Sequence, residues 1–218
     1  MKKTYQGKKL FLCSSFADIA GLLNIFEKNL KGKIVTFIPT ASRVEKINFY
    51  VKDAKKELEK AGMIIDTLDI SQAEKSEIVK KIRNNDFIYV SGGNIFYLLQ
   101  EMKKTGADEI IVEEVNNGKL YIGESAGAMV VSENIKYAGL MDDGTEYISE
   151  LKNLNSLNLV DFYTVPHYGC FPFEESAEKI MNTYSSLNLV PITNNQAILV
   201  DEDKIDVLEI KKQKLFSK

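Results

Sequence analysis

The stretch Gly123-Glu124-Ser125-Ala126-Gly127 follows "KLYI", an apolar run that reads as a short buried strand. A strand that turns abruptly into a helix strains its corner residue, and small neighbours let that corner expose its side chain. Ser125 is therefore a candidate nucleophile. The amide of Ala126, at the start of the helix, points toward anything bonded to the serine oxygen. A plain tight turn satisfies the same G-x-S-x-G pattern, so this motif alone leaves both readings open. A second oxyanion donor is available from Ser91-Gly92-Gly93-Asn94, which ends another strand and opens another helix, with bare backbone at Gly93 that a carbonyl can approach. Taken alone, that tetrapeptide reads as a turn with Asn94 as the helix N-cap.

His167 is the only histidine. If Ser125 needs an imidazole base, one subunit offers no other. In "VPHYG" it ends a predicted strand, where parallel sheets deliver their catalytic groups. A structural or surface histidine is the alternative. Most acidic side chains fall on amphipathic helices and read as solvated faces.

The elements that must position these residues alternate. Near-continuous apolar runs recur at "KKLFLCSS", "KIVTFIPT", "MIIDTLDI", "FIYVSGG" and "KLYIGES", the pattern of strands covered on both faces. Between them lie helical segments. In "RVEKINFYVKDAKKELEKAG", Val44, Ile47, Val51, Ala54 and Leu58 recur near the helical period, and Gly62 ends the run. Such a βαβα rhythm predicts an α/β fold: three layers, a mostly parallel sheet with helices on both faces. After Ser132 a polar, turn-containing connection leads to a strand "FYTVPH", a helix "PFEESAEKIMNTYSSL" and a terminal β stretch "NQAILVDEDKIDVLEI".

With 218 residues, 44% of them hydrophobic, the chain can bury one sizeable core, and a single domain over 1–218 is expected. The net charge of −3, with no basic cluster beyond lysine-rich helix faces and a C-terminal "KKQK", argues against a nucleic-acid partner. No stretch approaches the roughly 20 apolar residues that span a bilayer, so no membrane partner is expected. The lysine-bearing start resembles a signal peptide, but Cys13-Ser14-Ser15 breaks its apolar run and no cleavage signature follows. A cytoplasmic location is expected, with Cys13 and Cys170 as free thiols and a Cys13–Cys170 disulfide as the alternative. No CxxC spacing or ligand cluster suggests a metal, and no cofactor is expected.

The ordered set "IYVSGGNIFYLL", "YIGESAGAMV" and "VPHYG" resembles peptidase family S51, which includes dipeptidase E (aspartyl dipeptidase) and the related cyanophycinases. The resemblance runs from "LFLCSS" to about Val200. It implies a fold similar to class I glutamine amidotransferases, with serine where those enzymes carry cysteine. By that resemblance Ser125 is the nucleophile, His167 the base, and the amides of Gly93 and Ala126 the oxyanion hole. Family members similar to dipeptidase E cut short peptides after an N-terminal aspartate.

One position departs from the pattern. The third triad member of the family is an acid on a late loop, which by order falls in "PITNNQAILV", at Asn194 with Asn195 beside it. An amide can orient an imidazole but cannot neutralise its charge, and losing the carboxylate costs on the order of 10⁴ in turnover in a serine protease. Either Glu124, Asp161 or Asp201 takes the role, or the enzyme is slow. Three function classes follow: a serine hydrolase of short peptides, an α/β-hydrolase esterase, and a weakly active or inactive binding protein on the same scaffold. The esterase order of serine, acid and a late histidine, with an HGGG-type motif, is not the order found here. A monomer and a homodimer are both compatible with the sequence.

Overall fold

The structure is a computed structural model that describes residues 7–210. The first lysines, in residues 1–6, and the "KKQK" of 211–214 lie outside the described residues.

The first half of the chain runs β1 (Lys9–Cys13), α1 (Phe16–Phe26), β2 (Ile34–Ile38), α2 (Phe49–Lys60), β3 (Ile64–Thr67), α3 (Lys75–Asn84), β4 (Phe87–Val90), α4 (Ile95–Thr105) and α5 (Ala107–Asn116). The second half adds β5 (Tyr121–Glu124), α6 (Ala126–Met129), α7 (Thr145–Ile148), β6 (Tyr163–Val165), α8 (Glu174–Thr183), β7 (Leu189–Pro191), β8 (Gln196–Asp201) and β9 (Lys204–Glu209). Seven strands form one sheet in the order β3-β2-β4-β5-β1-β8-β9. The first five of these are mutually parallel, and β8 runs antiparallel to both of its neighbours, β1 and β9. The expected mostly parallel α/β sheet is what the chain forms.

Continuous apolar strands arise because the sheet is covered on both faces. Side chains alternate across a strand, so Leu10 and Leu12 of β1 enter one core while Phe11 and Cys13 enter the other. Helices α1 and α2 close the second core, through residues such as Ile19, Leu23, Ala54 and Leu58. Helices α3, α4, α5 and α8 close the first, through residues such as Ile78, Leu98, Ile111 and Ile180.

One expectation about an element is corrected, and two others gain detail that the sequence did not specify. The helix expected from residue 43 begins only at Phe49, because Thr40–Val44 winds as a separate 3-10 turn and Asn48 (φ −141°) redirects the chain. Val44 and Ile47, which fitted the helical period, are 41% and 67% exposed, whereas Ala54 and Leu58 are buried. The strand of "FYTVPH" does not join the main sheet; β6 pairs with β7 in a separate two-stranded parallel sheet. Finally, the terminal β stretch is a hairpin, broken at Glu202 (φ 52°) between β8 and β9. Apolar pattern marks a strand but does not name its partner, which is why the sheet assignment of β6 escaped it.

Candidate active site

The main sheet brings β1, β2, β4 and β5 to one carboxyl edge, and Ser125 stands there between β5 and α6 with φ 49° and ψ −107°. This is the strained corner expected of an exposed strand-to-helix serine. Ser125 is only partly buried, although residues 120–124 and 126–132 on either side are all buried. Both flanking glycines are required by close approach. A Cβ on Gly123 would run into the Gly127 carbonyl, and one on Gly127 into the Val90 carbonyl. Tyr121 Oη donates to that Gly127 carbonyl at 2.7 Å, and Ser125 N donates to Cys13 O at 2.8 Å. The corner is thus pinned to β1, β4 and β5.

His167 lies two residues beyond β6 and also has a left-handed backbone, φ 59°. Its N–H donates to Ser14 Oγ at 2.9 Å, and Ser14 Oγ donates to Ile192 O at 3.1 Å. One buried hydroxyl at the end of β1 therefore ties together the two segments that carry the imidazole and its partner. Phe173 stacks on the ring with centroids 4.8 Å apart. The ring reaches Ser125 Oγ through Nε2 at 3.0 Å and Asn194 Oδ1 through Nδ1 at 2.7 Å. An amide oxygen only accepts, so Nδ1 carries the proton and the Nε2 lone pair faces Ser125. Burial pushes the imidazole pKa below its usual 6.5, against the smaller raising effect of the Asn194 bond. The ring is neutral at pH 7, as a base must be.

Asn194 is held by its own turn: Gln196 N donates to Thr193 O at 3.2 Å, and Thr193 N to Gln196 Oε1 at 2.9 Å. The three acids weighed as substitutes are all elsewhere. Glu124 is buried and receives Phe16 N–H at 2.8 Å and Tyr89 O–H at 2.7 Å, with no bond to His167. Asp201 pairs in register with Lys9 at the opposite end of β1; at about 3.3 Å per residue, β8 puts it on the order of 15 Å from the Asn194 turn. Asp161 is exposed, and its backbone carbonyl accepts from Asn188 Nδ2 at 3.3 Å. No carboxylate is among the partners of the ring in the described residues.

The Gly92–Gly93 turn abuts the serine, since a Cβ on Gly92 would lie 3.2 Å from Ser125 Cβ. Gly93 has φ 130°, and any side chain there would strike Ala41. Asn94 caps α4 as expected, its side chain accepting from Phe96 N and Tyr97 N at 3.0 Å each. Ala126 opens α6, so its N–H has no intrahelical acceptor, and the Gly93 N–H makes no hydrogen bond among the described residues. Cys13 and Cys170 are both free thiols. No group of three or more metal-ligating side chains converges among the described residues, nor is any described helix long and apolar enough to cross a membrane. Sequence reading passed over Ser14 and Phe173. The signal for Ser14 was its place as the first polar residue beyond a buried parallel strand.

A mostly parallel α/β sheet with a strained serine at its carboxyl edge and an imidazole on the serine hydroxyl is the frame of hydrolytic α/β proteins. The model of peptidase family S51 matches residues 10–208, and the chain belongs to that family. It is similar to an uncharacterized peptidase of Listeria monocytogenes, 53% identical over 194 residues that cover 88% of this chain and 94% of the relative. A Peptidase E of Nostoc sp. is 31% identical over 168 residues, covering 74% of this chain and 66% of its own. Among solved structures, a candidate Peptidase E from Listeria monocytogenes EGD-e superposes with a TM-score of 0.90 at 50% identity, covering 94% of this chain and 99% of that one.

Proposed function

We propose that this peptidase is a single-domain serine hydrolase of short peptides. The observation that carries the reading is the chain of contacts from Ser125 Oγ to His167 Nε2 at 3.0 Å and from His167 Nδ1 to Asn194 Oδ1 at 2.7 Å. Ser125 Oγ attacks the scissile carbonyl while its proton passes to Nε2, forming a C–O bond and a tetrahedral oxyanion. The amides of Gly93 and Ala126 receive that oxyanion. The imidazolium then gives its proton to the departing amine as the C–N bond breaks. Water, deprotonated by the same nitrogen, releases the acyl group from Ser125. Asn194 holds the ring in the productive tautomer.

The resemblance of the three motifs to dipeptidase E makes Asp-Xaa dipeptides the first substrates to try, and a free α-amino group is expected to be required. The enzyme works without cofactor, nucleic acid or membrane partner, in the cytoplasm, as a monomer or homodimer. Its two unpaired thiols suit a reducing compartment. The amide at position 194 favours a second reading, a weakly active or inactive binding protein on the same scaffold, because no carboxylate offsets the imidazolium.

Labelling by a fluorophosphonate, with Ser125→Ala as control, separates the two. Rapid labelling of the parent and none of the variant, with cleavage of a dipeptide panel, supports the hydrolase. An unlabelled parent that binds dipeptides without cleaving them supports the binding protein. Equal rates on N-acetylated and free substrates would point to an endopeptidase or esterase.

A further inference from the structure

The imidazole of His167 has an aromatic ring against its face. Phe173 stacks on it with ring centroids 4.8 Å apart and planes 26° from parallel. Two short turns bring it there: Cys170 N donates to His167 O at 2.9 Å, and Phe173 N donates to Cys170 O at 2.9 Å. The Phe173 carbonyl in turn accepts from Ala177 N at 2.9 Å and Ser176 Oγ at 3.0 Å, at the head of α8. Backbone bonds therefore fix this residue on both sides. The two ring nitrogens of His167 are engaged by Ser125 and Asn194, so the face is where a further neighbour can act on the charge of the imidazole.

We propose that Phe173 is a positioning residue that also supplies, through its π face, part of the imidazolium stabilisation that the amide of Asn194 cannot give. The inference rests on the Ser125 hydrolase reading and deepens it. An aromatic face is the negative end of the ring quadrupole and attracts a cation within about 6 Å of its centroid, most strongly where water is excluded. The stack meets that distance, and the imidazole is buried enough to lower its pKa, so each contact with the cation counts. The ionisable groups on the surrounding elements are turned elsewhere. On β1, the Cys13 thiol points to the Gly123 carbonyl at 3.5 Å, and on β5 the Glu124 carboxylate receives Phe16 N–H and Tyr89 O–H. In the loop of the histidine itself, Tyr168 is exposed and the Cys170 thiol donates to the Tyr168 carbonyl at 3.5 Å. On α8, Glu174 and Glu175 are exposed, and Glu175 pairs with Lys179 at 2.7 Å. A cation–π contact of ordinary strength favours the cation roughly two- to thirtyfold, well short of the factor on the order of 10⁴ that a triad carboxylate gives. The ring offsets part of the missing charge.

Two replacements test this. Phe173→Leu keeps an apolar side chain without a π face, and pentafluorophenylalanine at position 173 keeps the outline of the ring while reversing the sign of its face. His167 is the only histidine, so its ring resonance titrates without overlap from another. In both proteins the imidazole pKa is expected to fall by at least about 0.4. At pH 8 kcat on the best dipeptide is expected to fall at least about twofold with KM within threefold, and fluorophosphonate labelling of Ser125 to slow in parallel. A ring that only fills space predicts the opposite sign for the pKa, since loosening it admits water and lets the value rise toward the usual 6.5. A pKa that stays or rises in the pentafluorophenylalanine protein overturns the proposal, as does a kcat changed there by less than twofold. If the parent fails to label at Ser125, the hydrolase reading falls, while the histidine titration still decides whether Phe173 favours the cation. If the leucine variant does not fold, the pentafluorophenylalanine protein carries the test by itself.

Discussion

Asn194 Oδ1 sits 2.7 Å from His167 Nδ1, so the imidazole that faces Ser125 is oriented by an amide in the place where a carboxylate would also neutralise it. Orientation and charge compensation, combined in one residue in a serine–histidine–acid triad, are separated in this site. The geometry of the ring is complete. Its electrostatic support is not, and the burial that lowers the imidazole pKa works against the imidazolium that the proposed mechanism forms.

Ser125→Ala is expected to abolish peptide turnover with little change in stability. In the proposed mechanism the hydroxyl contributes chemistry at a partly exposed corner, and it fills no core space. Thermal melts and dipeptide assays on the purified variant check this. Residual hydrolysis above a few per cent would remove Ser125 from the mechanism.

Ser14→Ala is expected to reach the same site from behind. The change leaves the His167 N–H and the Ile192 carbonyl without the hydroxyl that joins them, at a cost of about 1–3 kcal/mol for a buried group left unsatisfied. It also frees a histidine held at φ 59°. Urea unfolding would show the stability loss, and kcat is expected to fall more than KM rises. Full activity would mean that the Phe173 stack alone holds the ring.

How far the site could be read in advance follows from how local each signal was. The serine corner, the glycine turn and the Asn94 cap are written in five or fewer consecutive residues, and their geometry follows from what those residues permit. Asn194 was located by order along the chain, and the turn before β8 does bring it to His167. The Ser14–His167 bond spans 153 positions and has no local pattern. Glu124 is a candidate triad acid by sequence because it adjoins Ser125. Along an extended strand, however, successive side chains leave opposite faces, and its carboxylate turns to α1 and β4.

The raised pKa of Glu124 makes a stability prediction independent of catalysis. Its folded value, about 7, lies above the ordinary 4.5, so the folded state holds a proton that the unfolded state has lost between those limits. The stabilising contribution is full below about pH 4.5 and is lost as pH rises through about 7, roughly 3 kcal/mol in all. Glu124→Gln has no such proton to lose. The unfolding free energy of the variant minus that of the parent is expected to grow by that order between pH 4.5 and 8 in urea titrations. A difference that stays constant would place the carboxyl pKa near its usual value.

The sharpest test is Asn194→Asp, which places a carboxylate where the amide oxygen now receives the Nδ1 proton. The new charge stabilises the imidazolium that accompanies the tetrahedral intermediate, so turnover is expected to rise. The gain should fall short of about 10⁴, because the partly buried turn suits an amide and a new carboxylate there is costly to desolvate. The effect belongs mainly in kcat, since the charge matters more in the transition state than in substrate binding. A carboxylate also raises the imidazole pKa, so the acid limb of kcat/KM that belongs to His167, below pH 6.5 in the parent, is expected to move upward. The comparison therefore belongs on the plateau near pH 9, beside Glu124→Ala, Asp161→Ala and Asp201→Ala. A flat or lower plateau for Asn194→Asp, together with a folded but inactive Asp161→Ala or Asp201→Ala, would show that another acid already serves His167.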